Sequence, residues 1–245
     1  MSDSIDADAP ALNPDLDRIA LADAYHRIGR VRIPDILTKL SAQHVYRALE
    51  QETPWGLTCN NGKEEHEFAS VSAEDHQQMA IAAWERAHTR FQYFYHNWHL
   101  LEGGRMRPAP DQYLGRLIKF MVSSRFLDFI GEVTGDSSIN WLTATATLFK
   151  PLDFLTLHDD EHANSDRVVA FVLSMTPEWR PDWGGALQFY DSKDHIEEGY
   201  LPTFNALNLF RIPKLHSVSQ VSAFGGMRYS ISGWFEARKP AGEPG

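Results

Sequence analysis

Between Trp141 and Phe235 the chain is written in short runs of β-branched and aromatic residues: "TATATLF", "VVAFVLSM", "ALQFY", "FNALNLF" and "RYSISGWF". They are separated by "KPLD", "TPEWRPDWGG", "DSKDHIEEGYLP" and "AFGGM", stretches rich in turn formers. Each run is short for a helix and each break can reverse the chain. Many short strands must therefore close on one another, as in a β-sandwich or barrel.

The first half has a different texture. Residues 1–17 hold five aspartates, no lysine or arginine and little apolar content, which predicts a mobile acidic tail. "GRVRIPDIL" (Gly29–Leu37) predicts a short strand ended at Pro34. A helix is expected from Ser41, with Ala42, Val45 and Leu49 on one face. Ser72–Trp98 opens with a Ser-x-x-Asp capping signal and runs on without glycine or proline. It predicts one long helix carrying Met79, Ala83, Ala87, Phe91 and Phe94 at near-helical spacing. Leu114–Gly135 predicts a third helix, stopped at its glycine. The layout is α+β: helices to about residue 135 buttressing a β-barrel core at 141–236, within one domain over 18–240.

Composition narrows the setting. At 43% hydrophobic and 23% charged residues the chain is of ordinary globular type, and no run of about 18 apolar residues offers a membrane span. The acidic start lacks the features of a secretory signal. A single cysteine, Cys59, cannot form an internal disulfide, so a reducing, cytoplasmic compartment is expected. A formal net charge of −10 argues against nucleic acid as the main partner.

The chemistry is concentrated in "LTLHDDEHANSDR" (Leu155–Arg167). In an extended chain His158 and Asp160 share a face while Asp159 points away. One imidazole and one carboxylate are thus offered to a single ion. The best candidate for a third ligand is His216, 58 residues on in the strand-like "LHSVSQV". Two histidines and one carboxylate on one side of a metal leave open positions opposite, an arrangement suited to non-haem Fe(II) oxygen chemistry. In "RYSISGWF" alternation puts Arg228, Ser230, Ser232 and Trp234 on one face. An arginine in an apolar β region needs an anion, and no Asp or Glu lies between Gln220 and Gly233. A small dicarboxylate held by the guanidinium fork and a serine hydroxyl would serve. The remaining histidines read as bland: His96 and His99 as structural residues of a helix end, His162 and His195 as solvated loop residues. Asp191–Glu198 reads as a solvated acidic loop.

Taken together, "HDDE…RVVAFVLSMTPEW…WGGALQFY…LHSVSQV…RYSISGWF" resembles the Fe(II)/2-oxoglutarate-dependent oxygenases. The nearest branch is prolyl-hydroxylase-like, in particular the subgroup acting on a ribosomal-protein proline. The resemblance implies a double-stranded β-helix (jelly-roll) fold. It implies Fe(II) at His158, Asp160 and His216, and 2-oxoglutarate paired to Arg228 with Ser230 as helper. It implies O2 as the other co-substrate, with ascorbate expected as a stimulating reductant. It also implies that Arg167 and Trp234 contact the substrate, favouring a peptidyl proline. A free amino acid, a small natural product, or a non-catalytic cupin-like binding role are the alternatives. Two features depart from the family pattern. Ser174 stands where a strand tyrosine commonly binds the co-substrate carboxylate, and Phe149 and Leu152 replace a tyrosine and a glycine upstream of the His-x-Asp pair.

Overall fold

The computed structural model describes residues 8–62, 64–162 and 165–238. The first half supplies α1 (Arg18–Ile28), β1 (Arg30–Pro34), α2 (Lys39–Gln51), β2 (Gly56–Asn60) and β3 (Glu65–Phe68). It continues through α3 (Ala73–Ala87), β4 (Tyr93–Glu102), β5 (Arg105–Met106), α4 (Tyr113–Met121) and α5 (Ser124–Thr134). The second half is β6 (Trp141–Phe149), β7 (Phe154–His158), β8 (Arg167–Ser174), β9 (Leu187–Tyr190), β10 (Ile196–Tyr200), β11 (Ala206–Arg211), β12 (His216–Val218) and β13 (Arg228–Glu236).

The strands follow the order β1-β11-β8-β13-β6-β4-β7-β12-β9-β10, and the pairings along it are antiparallel. Side chains bring the two ends together. Buried Arg30 of β1 reaches Glu198 and Glu197 of β10 at 2.7 and 3.2 Å and lies 5.1 Å from the Phe189 ring of β9. Phe210 of β11 packs edge-on against His216 of β12. The result is the expected α+β double-stranded β-helix.

Alternation gives its walls two faces. On β6, Leu142, Ala144 and Ala146 face the helices, while Thr143, Thr145 and Thr147 line the barrel. On β13, Ile231 and Phe235 join the same apolar layer, against Leu117, Ile130 and Val133 of α4 and α5. Gly233 lies between β6 and β8, where a Cβ would stand 2.0 Å from the Thr143 carbonyl oxygen.

Several expectations need correction. The helix opened at Ser72 is real: Ser72 Oγ accepts from the Asp75 amide at 3.0 Å. It ends at Ala87, however, and "YFYHNWHL" forms β4, because these residues find backbone partners in β2, β6 and β7. The Leu114–Gly135 segment is two helices. Ser123 is extended and its hydroxyl donates to the Phe120 carbonyl at 2.6 Å, which ends α4 and starts α5. The helix expected from Ser41 begins at Lys39 under a Thr38 cap. Residues 1–7 of the expected acidic tail lie outside the described residues. Beyond them the segment is packed: Leu12 is buried and bridges Leu37, and Thr38 N donates to Ala11 O at 3.0 Å. The acidic loop after Asp191 is not simply solvated either, since Glu197 and Glu198 hold Arg30 and Lys214. Among the described residues no helix is long and apolar enough to cross a membrane.

Candidate active site

The last residue of β7 is His158, and β12 places His216 directly opposite it. Their rings are 4.0 Å apart. Asp160 joins them, though not by strand alternation. β7 stops at His158 and Asp160 has φ +61°, so a left-handed turn swings its carboxylate back between the rings. Oδ1 lies 3.4 Å from His158 Nε2 and Oδ2 lies 3.5 Å from His216 Nε2. Among the described residues, these are the one group of three or more His, Cys, Asp or Glu side chains able to hold a metal.

Their protonation suits that task. His158 Nδ1 donates to the Thr156 carbonyl at 2.9 Å and His216 Nδ1 to the Lys214 carbonyl at 2.7 Å. Each bond fixes the tautomer and leaves an Nε2 lone pair turned toward Asp160. Burial first, then the neighbouring His158, push His216 down to about 4, so its imidazole is neutral near pH 7. Burial works to raise the Asp160 carboxyl, but the adjoining His158 and His216 outweigh it and hold the group below the usual carboxylate range. The two Nε2 atoms and the Asp160 carboxylate converge on one point. That donor set fits a divalent ion.

Across the same cavity, of about 1030 Å³, stands Arg228. It is 3% exposed, and its guanidinium carbon lies 4.9 Å from the Phe149 ring. Nη1 donates to Ser230 Oγ at 3.2 Å, and Ser230 Oγ shares a 2.8 Å hydrogen bond with Thr147. Nε has no partner, and no carboxylate pairs with Arg228 among the described residues. Burial alone pushes it down to about 10. A buried cation beside an orphaned N–H is costly unless an anion completes it.

The departures from the family pattern can now be placed. Phe149 is the cavity floor beside Arg228. Ser174 is buried opposite Ser230, and its hydroxyl accepts from the Thr203 amide at 3.0 Å. Leu152 occupies a left-handed turn at φ +76° outside this cavity and lines a second groove, on the far side of β7. Arg167 and Trp234 meet at the other end of the cavity, with the guanidinium carbon 3.5 Å from the indole. One face of Trp234 is therefore taken by Arg167. His162 lines the cavity and His195 is exposed. His96 is buried on β4 beside Lys150 and Asp153. His99, expected at a helix end, lines the cavity from β4 and bonds Thr145 and Glu67. Reading β4 as helix hid the barrel-facing row Tyr93, Tyr95, Asn97 and His99; its period-two alternation was the available signal.

Comparison with known proteins agrees with this geometry. The 2OG-Fe(II) oxygenase superfamily profile matches residues 144–236. The prolyl 3-hydroxylase OGFOD1 of Mus musculus is 30% identical over 137 residues, 53% of this chain and 25% of that one. The prolyl 3-hydroxylase sudestada1 of Drosophila melanogaster is 28% identical over 117 residues, 42% of this chain and 22% of that one. The chain thus spans about a quarter of the length of the curated relatives it matches. Among solved structures, a prolyl hydroxylase from Trichoplax adhaerens in complex with a hypoxia-inducible-factor peptide aligns with a TM-score of 0.60 at 17% identity, covering 90% of this chain and 89% of that one. A 2OG-Fe(II) oxygenase family oxidoreductase from Burkholderia pseudomallei gives 0.61 at 14% identity, covering 93% and 94%.

Proposed function

We propose that the chain is a member of the 2OG-Fe(II) oxygenase superfamily, whose profile matches residues 144–236, and that it is an Fe(II)- and 2-oxoglutarate-dependent hydroxylase acting on a prolyl residue of a protein or peptide. The observation that carries this reading is the pairing, in one cavity, of a two-histidine, one-carboxylate cluster with a buried arginine lacking an anion. A cupin-like binding protein needs no such arginine.

Bound Fe(II), with 2-oxoglutarate and O2, supplies the oxidising power to place a hydroxyl on an unactivated C–H. His158 and His216 bind through Nε2, and Asp160 through its carboxylate. Arg228 holds the remote carboxylate of 2-oxoglutarate with its guanidinium fork, and Ser230, fixed by Thr147, orients the fork. The apolar floor at Phe149 keeps water from that end. Arg167 and Trp234 act as one stacked unit beside the substrate chain. The prolyl substrate is favoured because the curated relatives quoted above are named prolyl 3-hydroxylases. We treat residues 18–240 as one oxygenase domain. A reducing, cytoplasmic setting fits the free thiol of buried Cys59, and the charge of −10 favours a basic protein partner over nucleic acid.

The test is a mass-spectrometric search for one-oxygen gains, run with Fe(II), 2-oxoglutarate and ascorbate on a proteome extract and on an amino-acid panel. Hydroxyproline in a protein of the extract is the expected result. Saturable activity on a free amino acid alone would move the substrate to a small molecule.

A further inference from the structure

The end of the cavity around Arg228 is built in one layer of the sheet. Arg228 of β13 is in register with Phe149 of β6. On the other flank β4 pairs His96 with Leu148 and Asn97 with Thr147, so Tyr95 falls beside Phe149. The Tyr95 and Phe149 rings are stacked, 4.7 Å apart and 10° from parallel. Phe149 thus has a guanidinium on one side and a phenol on the other.

The guanidinium fork can serve two lone pairs of a carboxylate, and the hydroxyls beside it are largely committed. Ser230 is held between Arg228 and Thr147, and Ser174 accepts from the Thr203 amide. The Tyr95 hydroxyl hydrogen-bonds to none of the described residues, although the side chain lines the cavity. Burial, the first cause, together with the Glu65, Asp160 and Glu67 carboxylates, raises the phenol well above its ordinary range, so it keeps its proton and can only donate or accept as O–H. Tyr95 therefore lines the cavity that holds the metal cluster and Arg228, stacked on the same Phe149 ring that Arg228 covers.

We propose that Tyr95 is a co-substrate-binding residue, its hydroxyl donating a hydrogen bond to a carboxylate oxygen of bound 2-oxoglutarate. The hydroxyl comes from β4, a strand that also carries His99 and Asn97 of the same cavity wall. This rests on the 2-oxoglutarate reading above, and deepens it. Tyr95→Phe keeps the stack on Phe149 and removes only the donor.

The test is isothermal titration of 2-oxoglutarate into Mn(II)-loaded protein without O2, so that no turnover occurs. Wild type, Tyr95→Phe and Arg228→Ala are compared, and Mn(II) affinity is titrated separately for each. Tyr95→Phe should weaken 2-oxoglutarate binding about tenfold, the scale of one hydrogen bond to a charged group, with Mn(II) affinity and thermal melting unchanged. If Tyr95→Phe binds 2-oxoglutarate as wild type does while Arg228→Ala does not, the Tyr95 assignment is overturned and the co-substrate reading stands. An equal loss of Mn(II) affinity would also overturn it, moving Tyr95 to the metal cluster. A wild-type protein that does not bind 2-oxoglutarate would overturn the functional reading itself.

Discussion

A single backbone angle sets the geometry of the cluster. Extended alternation was a sound reason to pair His158 with Asp160, yet Asp160 reaches the ring nitrogens through a left-handed φ of +61°. The residue types were legible in the sequence; the turn that assembles them was not, because a local spacing cannot tell an extended i, i+2 pair from a turned one. Arg228 was legible for the opposite reason. A cation in an apolar strand with no acidic neighbour demands an anion wherever the strand lies. Arg228→Lys replaces a planar fork by a point charge and should recover only part of the 2-oxoglutarate affinity that Arg228→Ala loses, a loss of about 2–5 kcal/mol, read by titration calorimetry. Arg167 and Trp234 are stacked too closely to act separately. Either alanine variant should reduce substrate hydroxylation more than uncoupled succinate formation, and the double variant should cost less than the two single losses added, measured as a double-mutant cycle on kcat/KM.

At the scale of elements, the strands of the second half were visible because turn formers punctuate them, whereas β4 was not. "FQYFYHNWHL" follows α3 without glycine or proline, and its tyrosines and phenylalanines fit a helical stripe as well as a strand. Tertiary pairing with β2, β6 and β7 decided the matter. Once β4 is a strand, Tyr95 and His99 fall on the cavity wall together. The β6–β13 pairing depends on the lack of a side chain at Gly233, since a Cβ there would meet Thr143 O at 2.0 Å. Gly233→Ala should destabilise the protein by about 1–3 kcal/mol, seen as a lower urea midpoint at constant m-value, by forcing the two strands apart beside Trp234.

For the whole molecule, α1, α2, α4 and α5 are bound to the outer wall of the barrel through one apolar layer and α3 through a second, and the barrel ends are held by Arg30 and its two glutamates. Burial in this frame holds two imidazoles, His216 and His76, neutral, and this links stability to pH. His216 is pushed down to about 4 by burial and His158, and His76 is lowered by burial and His96. An unfolded histidine takes up its proton near pH ~6.5. Between that value and about 4 the unfolded chain binds more protons than the folded one, so stability is full above the window and is lost as pH falls through it. The metal-free protein should melt at a clearly lower temperature at about pH 5 than at about pH 7.5 in a scanning calorimeter, and divalent-metal affinity should weaken over the same range because the ligands must be deprotonated.

If His158, Asp160, His216 and Arg228 form one oxidative site, the decisive measurement is succinate formed from 2-oxoglutarate under Fe(II), O2 and ascorbate, without added substrate. Wild type should form succinate slowly but measurably, and His158→Ala, His216→Ala and Arg228→Ala should each reduce it to the no-enzyme rate while His195→Ala leaves it unchanged. Full turnover in either histidine variant, or none in the wild type, would rule out this site as the oxidative centre.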